Sequence, residues 1–363
     1  MGETLTTLWV GTRKGLFRFD QAGPQWRQAG KPSFLAAPVT FVLDDPRDGA
    51  VYVGLSHGHF GCKLHRSDDR GATWQELPAP AFPKSDAPDA PALEMIWSIC
   101  PGGTDEPNAL WIGTIPGGLF RSDDRGETWS ICEGLWNRPE RSRWMGGGYD
   151  HPGIHSILVD PRRSAHVTVA VSTGGVWITH DRGQTWALGG AGLRSDYVPP
   201  GQQQDPLFQD IHLLAAPACD PDRMWCQHHC GIFVSDDGGL TFRESVGVKP
   251  SVFGFAVAAH PHDRNRAWFA PAVKDECRVP VDAKLVVTET CDGGGSFAIR
   301  HKGLPQADAY DLIYRHGLVV DSTGQNLAMG STTGNLWVSA DAGQSWLPLS
   351  ATLPPIAALT FAP

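Results

Sequence analysis

The sequence predicts an all-β fold: a seven-bladed β-propeller with four-stranded antiparallel blades, closed by N- and C-terminal strands that share one blade. Three observations lead to this. A nine-residue motif recurs six times at near-constant spacing, β-rich runs flank the copies in a fixed order, and the two chain ends together supply the strands of a seventh unit.

The strongest copies are RSDDRGATW (Arg66 to Trp74), RSDDRGETW (Arg121 to Trp129), ITHDRGQTW (Ile178 to Trp186) and VSDDGGLTF (Val234 to Phe242). Two more divergent copies are ETCDGGGSF (Glu289 to Phe297) and VSADAGQSW (Val338 to Trp346). The shared aspartate falls at 69, 124, 181, 237, 292 and 341, so successive copies lie 55, 57, 56, 55 and 49 residues apart. Each reads Ser/Thr-x-Asp-x-Gly-x-Thr/Ser-Trp/Phe. A carboxylate in a tight turn can accept backbone N–H bonds, the glycine can take a φ closed to other residues, and the aromatic can plug a core.

Two β-rich runs precede each box, as IHSILVDP (154–161) and HVTVAVS (166–172) do in one unit, and GVWITHD (175–181) leads into it. With the run after the box, each unit has four strands. At the N-terminus, TLWVGT (7–12), GLFRFD (15–20) and QWRQA (25–29) read as second, third and fourth strands, and IAALTF (356–361) at the other end reads as a first strand. One propeller over residues 1–363 is therefore expected, its first blade shared between about 5–30 and 355–363. Such closure removes free sheet edges. Asp20 to Trp26 reads as a degenerate seventh box.

The 363 residues are 41% hydrophobic, enough for a substantial core. The 42 Gly and 29 Pro are dispersed among apolar runs, which fits turns rather than disorder. A net charge of −9 without a Lys/Arg-rich run argues against a nucleic-acid partner. No 18-residue apolar stretch and no basic, apolar leader is present, so no membrane segment is expected, and the chain reads as cytoplasmic. The eight cysteines are scattered, which predicts reduced thiols rather than a disulfide framework.

The repeat resembles the BNR or Asp-box repeat of sialidases, sortilin-type receptors, xyloglucanases and photosystem II assembly factor-like propellers, in which the box joins the third and fourth strands of a blade. The resemblance covers nearly the whole chain and implies the fold; it says little about function, because one fold hosts many sites. Sialidase activity is not expected. That pattern needs an N-terminal Arg-Ile-Pro, an arginine triad and six blades; Arg-Ile-Pro is absent here and the count is seven, although an Arg13/Arg141/Arg143 carboxylate clamp stays open.

In a propeller the innermost strands start on the face opposite the boxes, where ligand sites usually gather. Aligned by the turn that ends them, these strands place Thr40, Trp97, His155, His212, Phe255, His316 and Ala358 in one slot. Three of the seven are histidine, and Tyr149-Asp150-x4-His155-x4-Asp160 recurs as Tyr310-Asp311-x4-His316-x4-Asp321. Converging imidazoles suit Zn, Mn or Fe, so His155, His212, His316 and His228 are the expected metal ligands, with satisfied channel histidines as the plainer reading. His57, His59 and His229 are further rim candidates. No organic cofactor is indicated.

Long interblade segments, RSRWMGGGYDHPG (141–153), DYVPPGQQQDPLFQD (196–210) and PAVKDECRVPVD (271–282), are rich in side chains that bind ligands. Asp150, Asp311 and Glu94 are the catalytic candidates; Arg141, Arg143, Trp144, Tyr149, Lys274 and Tyr310 are the substrate-binding ones. The expected activity is a hydrolase or lyase acting on a small polar or carbohydrate-like ligand, glycosidase-like if two carboxylates stand suitably apart. The alternative is a non-catalytic propeller that binds a protein or a glycan.

Overall fold

A computed structural model describes residues 6–23, 25–85 and 90–363. The fold is a seven-bladed β-propeller of four-stranded antiparallel blades with almost no helix. Blade 1 is ordered Ile356–Phe361, Thr6–Thr12, Gly15–Ala22, Gln25–Gln28, so the C-terminal strand pairs with the N-terminal one: Leu8 opposes Phe361 and Val10 opposes Leu359. Blades 2, 3, 6 and 7 occupy 39–77, 95–131, 254–300 and 318–350. Blade 4 runs Ile154–Val159, Val167–Val171, Gly175–Thr179, Ala187–Leu188, and blade 5 runs Ile211–Ala215, Met224–His228, Gly231–Ser235, Arg243–Glu244.

The chain packs as two compact units, one of Met1–Leu55, His65–Gln75 and Val246–Pro363, the other of Ser56–Leu64 and Glu76–Ser245. In the first, Leu8, Val10, Phe19, Leu336, Val338 and Phe361 form one core, and Trp268, Met329, Trp337 and Trp346 anchor another. In the second, Trp111, Trp144, Trp177 and Trp186 cluster together, and Phe233, Phe242, Ile178 and Met224 form the neighbouring core. Middle strands such as Val167–Val171 and Gly231–Ser235 are buried along their whole length, so they read as continuous rather than alternating apolar runs. Among the described residues no helix is long and apolar enough to cross a membrane. All eight cysteines are free thiols.

The repeated turn joins the third strand of each blade to the fourth, and its geometry recurs copy by copy. At Asp69, Oδ1 accepts from Ser67 Oγ (2.7 Å) and Thr73 N (2.8 Å), while Oδ2 accepts from Thr73 Oγ1 (2.6 Å). Asp124 uses Ser122 and Thr128 in the same way, Asp181 uses Thr179 and Thr185, and Asp341 uses Ser339 and Ser345. The leading hydroxyl also accepts from the amide of the glycine two residues after the aspartate, as Ser67 Oγ does from Gly71 (2.8 Å). Two consecutive residues take positive φ, not the glycine alone: Arg70 at 59° precedes Gly71 at 85°, and Arg182 at 60° precedes Gly183 at 86°. A non-glycine residue in that region is strained, and the paired carboxylate and hydroxyl hold it there. The closing aromatic is buried in Trp186, Phe242 and Trp346 and half-buried in Trp74 and Trp129. Asp20 is used differently: its carboxylate takes Thr7 Oγ1 and Arg18. Its box also spans Pro24, which lies outside the described residues.

The first strands carry a second repeated feature. Register skips one residue between Val39 and Phe41, Ile96 and Ser98, Ile154 and Ser156, and Ile211 and Leu213. The skipped residues are Thr40, Trp97, His155 and His212, each in the slot that the sequence alignment picked. A bulge sets its extra residue outside the register and re-aims the side chain. In blade 6 the skip falls between Gly254 and Val257, around Phe255. Blade 1 breaks the pattern: its skip lies between Ile356 and Ala358, one residue before the expected Ala358. In blade 7, His316 precedes the strand Leu318–Val320 and makes an isolated bridge to Ala358.

Three measurements check this account. Asp124→Ala removes the acceptor of three hydrogen bonds and should cost about 1–3 kcal/mol in denaturant unfolding. Removing residues 355–363 strips a strand from Leu8 and Val10, and the melting temperature should fall by more than about 4 °C. Hydrogen bonds from Thr73, Thr185 and Ser296 hold Asp69, Asp181 and Asp292 down at about 2, below their ordinary 3.8. A carboxylate depressed in the folded state contributes stability above its unfolded value and loses it as pH falls through the folded one. The melting temperature should therefore drop as pH falls from about 4 to about 2, less steeply in Asp181→Asn than in the wild type.

Candidate functional site

In the second unit the bulges at Trp97, His155 and His212 bring functional side chains to the loop 141–153. His155 is buried; its Nδ1 lies 2.9 Å from Ser156 Oγ, which accepts the amide of Leu214 in the next blade (3.1 Å). Its ring meets Trp97 edge-on at 5.2 Å, and Trp97 meets Tyr149 at 5.1 Å. Tyr149 is 45% exposed, so this stack ends at the surface. Beside it, His151 Nδ1 stands 2.8 Å from Glu94 Oε1, with both side chains about half exposed (53% and 48%). Asp150, between Tyr149 and His151, is exposed.

On its other flank the same loop meets Asp210. A Cβ added to Gly147 would lie 2.9 Å from Asp210 Oδ1, so the glycine-rich stretch allows backbone to approach the carboxylate. Asp210 Oδ2 lies 3.2 Å from His229 Nδ1 and 3.7 Å from His212 Nε2, and the two imidazoles meet at 5.3 Å between centroids. One ligand atom from each of Asp210, His212 and His229 falls within 4.8 Å of the others. Asp210 and His212 are buried and His229 is partly exposed. The His229 amide donates to the Asp210 carbonyl (3.0 Å), which fixes the hairpin turn against the strand start. The half-exposed Tyr197 packs on His229 at 5.0 Å; burial, with the Asp210 charge adding to it, pushes its phenol up from the usual value.

His228 occupies a different environment from its neighbour. It ends the second strand of blade 5, is fully buried, packs on Phe233 at 5.3 Å, and accepts the Cys230 amide at Nδ1 (3.0 Å). Burial pushes its imidazole down to about 3, so the ring is neutral at ordinary pH. In the first unit, His316 packs edge-on against Phe41 at 4.8 Å.

The remaining candidates spread over both units. Arg141 lies 3.6 Å from the Trp136 ring and donates to the carbonyls of Trp136 (2.8 Å) and Gly117 (3.3 Å); burial lowers it to about 10. Trp144 is buried on Trp177, and Arg143 pairs with Asp205 at 2.6 Å. In the first unit, Asp311 is buried and accepts from Thr333 and from Asn335 (2.7 Å), Lys274 pairs with Glu276 at 3.4 Å, and Tyr310 is exposed. The structure thus gathers Glu94, Tyr149 and Asp150 at one loop and His212 with Asp210 and His229 beside it. The sequence places Tyr197 in a loop rich in ligand-binding side chains without assigning it a role, and it favours His228 over its rim neighbour His229 as the ligand. The available signal was the spacing: His228 pairs with Gly231 across a two-residue turn, which frees His229 from the strand.

No family model matches the chain. The oligoxyloglucan-reducing end-specific xyloglucanase of Emericella nidulans is 27% identical over 290 residues, 78% of this chain. The chain spans only 30% of that relative's length. Among solved structures, the GH74 xyloglucanase of Xanthomonas campestris aligns with a TM-score of 0.66 at 17% identity, covering 95% of this chain and 52% of that one. YCF48 from Cyanidioschyzon merolae aligns at 0.57 and 14% identity, covering 92% and 90%. At these identities the two structures share the fold.

Proposed function

We propose that the protein is a glycosidase-like hydrolase that binds a carbohydrate along the loop 141–153. The observation that carries this reading is the His151–Glu94 contact at the loop that also carries the exposed Tyr149 ring and, between them in the chain, the exposed Asp150. Sugar recognition needs an aromatic face for the apolar side of a pyranose and polar groups for its hydroxyls, and Tyr149 with Glu94 and Asp150 offers both. Hydrolysis needs a proton donor and a second carboxylate. In this reading Glu94, in contact with His151, serves as the proton donor and Asp150 as the second carboxylate, the base or nucleophile. The similarity to a xyloglucanase over most of the chain supports a glycan as the substrate class.

The non-catalytic alternative is a propeller of the same fold that binds a glycan or a protein without turning it over. The two readings separate on turnover. Incubation with xyloglucan oligosaccharides and other β-glucans should release new reducing ends. Glu94→Gln and Asp150→Asn should each lower kcat by about 10²–10⁴-fold with the fold intact by circular dichroism. Glycan binding without any hydrolysis would leave the scaffold reading standing instead.

A further inference from the structure

We infer that Asp210, His212 and His229 form a binding site for one divalent transition-metal ion. This goes beyond the carbohydrate reading and does not depend on it. Zinc binds imidazole nitrogen at about 2.0–2.1 Å and carboxylate oxygen at about 2.0–2.2 Å, so donor atoms around one ion stand roughly 3.0–3.6 Å apart for octahedral to tetrahedral angles. Asp210 Oδ2 is 3.2 Å from His229 Nδ1 and 3.7 Å from His212 Nε2, within a few tenths of that spacing before any ion draws them in.

The donors are also held in place. His212 is the bulge residue of its strand, Asp210 stands two positions earlier, and the His229 amide is bonded to the Asp210 carbonyl. A side chain at position 147 would press on Asp210 Oδ1, so the glycine leaves that carboxylate room, while Oδ2 is the oxygen near the imidazoles. Three protein ligands leave a fourth position for water or substrate, as in catalytic rather than structural zinc sites, and two imidazoles with a carboxylate suit Zn, Fe or Mn. A buried carboxylate between two imidazoles calls for a positive charge, and either a metal ion or a proton shared with an imidazole can supply it. The metal reading commits to the first.

The histidines expected from sequence split under this assignment. His228 turns Nδ1 to the Cys230 amide and lies beneath the site, and His155 turns Nδ1 to Ser156. Neither belongs to the ligand set. The exposed thiols Cys219, Cys277 and Cys291 compete for soft metals, so the probe must report ligand type as well as affinity.

Tag-free protein stripped with chelator is titrated with Co²⁺ and Zn²⁺, reading heat and cobalt absorbance. One equivalent should bind, with cobalt bands free of thiolate charge transfer. His229→Gln and Asp210→Asn should each weaken binding by about 100-fold or more, whereas His155→Gln and the exposed control His301→Gln stay within about twofold. Apo-protein melting temperatures matching the wild type show that the loss is not unfolding, and Asp210→Asn, which preserves side-chain volume, serves if His229→Gln is unstable. Absence of binding below about 100 μM, a thiolate cobalt spectrum, or loss in His155→Gln with retention in His229→Gln overturns the assignment.

Discussion

Six of the seven blades share one short-range interaction, the aspartate that accepts a hydroxyl two residues before it and both the amide and the hydroxyl four residues after it. In those six blades the strand-three to strand-four turn contains two consecutive residues at positive φ, and one is usually arginine or alanine rather than glycine. That backbone is unfavourable on its own. The carboxylate and the leading Ser or Thr hydroxyl together satisfy the amides the turn exposes, so the strain is offset within nine residues. Because the solution is local, it can be repeated in blades whose other residues have diverged.

The same locality explains why the architecture is legible in the sequence. The spacing of Asp69, Asp124, Asp181, Asp237, Asp292 and Asp341 sets the blade period, and the hydrophobic runs between them have nowhere to go but into sheets. Closure through 356–361 was legible too, since an unpaired first strand at one end and a blade lacking one at the other leave a single economical pairing. What the repeat did not reveal was the double positive φ: the glycine advertises one such residue and hides the arginine before it.

The candidate site is legible only in part, for a physical reason. Aligning first strands found Thr40, Trp97, His155 and His212 because a bulge recurs at that point in those blades, and a bulge is a property of one strand pair. Which bulged side chains meet one another is not. His212 finds Asp210 and His229 within its own blade, whereas His155 faces Trp97 and Ser156. Chemical identity in a shared slot says nothing of the neighbours that each slot receives from its loops. Tyr149 and Tyr310 illustrate this: the first packs on Trp97, while the second stands exposed beside a buried Asp311.

Turn and bulge divide the work of the blade. The turn ends the third strand where hydrogen bonds must be satisfied, and its residues are committed to that task; Asp124 and Asp181 have each acceptor oxygen engaged. The bulge lies in the first strand, and in blades 2 to 5 it sets one residue outside the register. The bulged position holds Thr, Trp, His or Phe in different blades, so the strand register does not dictate its side chain. Chemistry can therefore vary at the bulge while the turn keeps the fold constant. The loop 141–153 shows what such freedom permits: its glycines let backbone close on Asp210 on one flank, and on the other it presents Tyr149, Asp150 and His151 to solvent around Glu94.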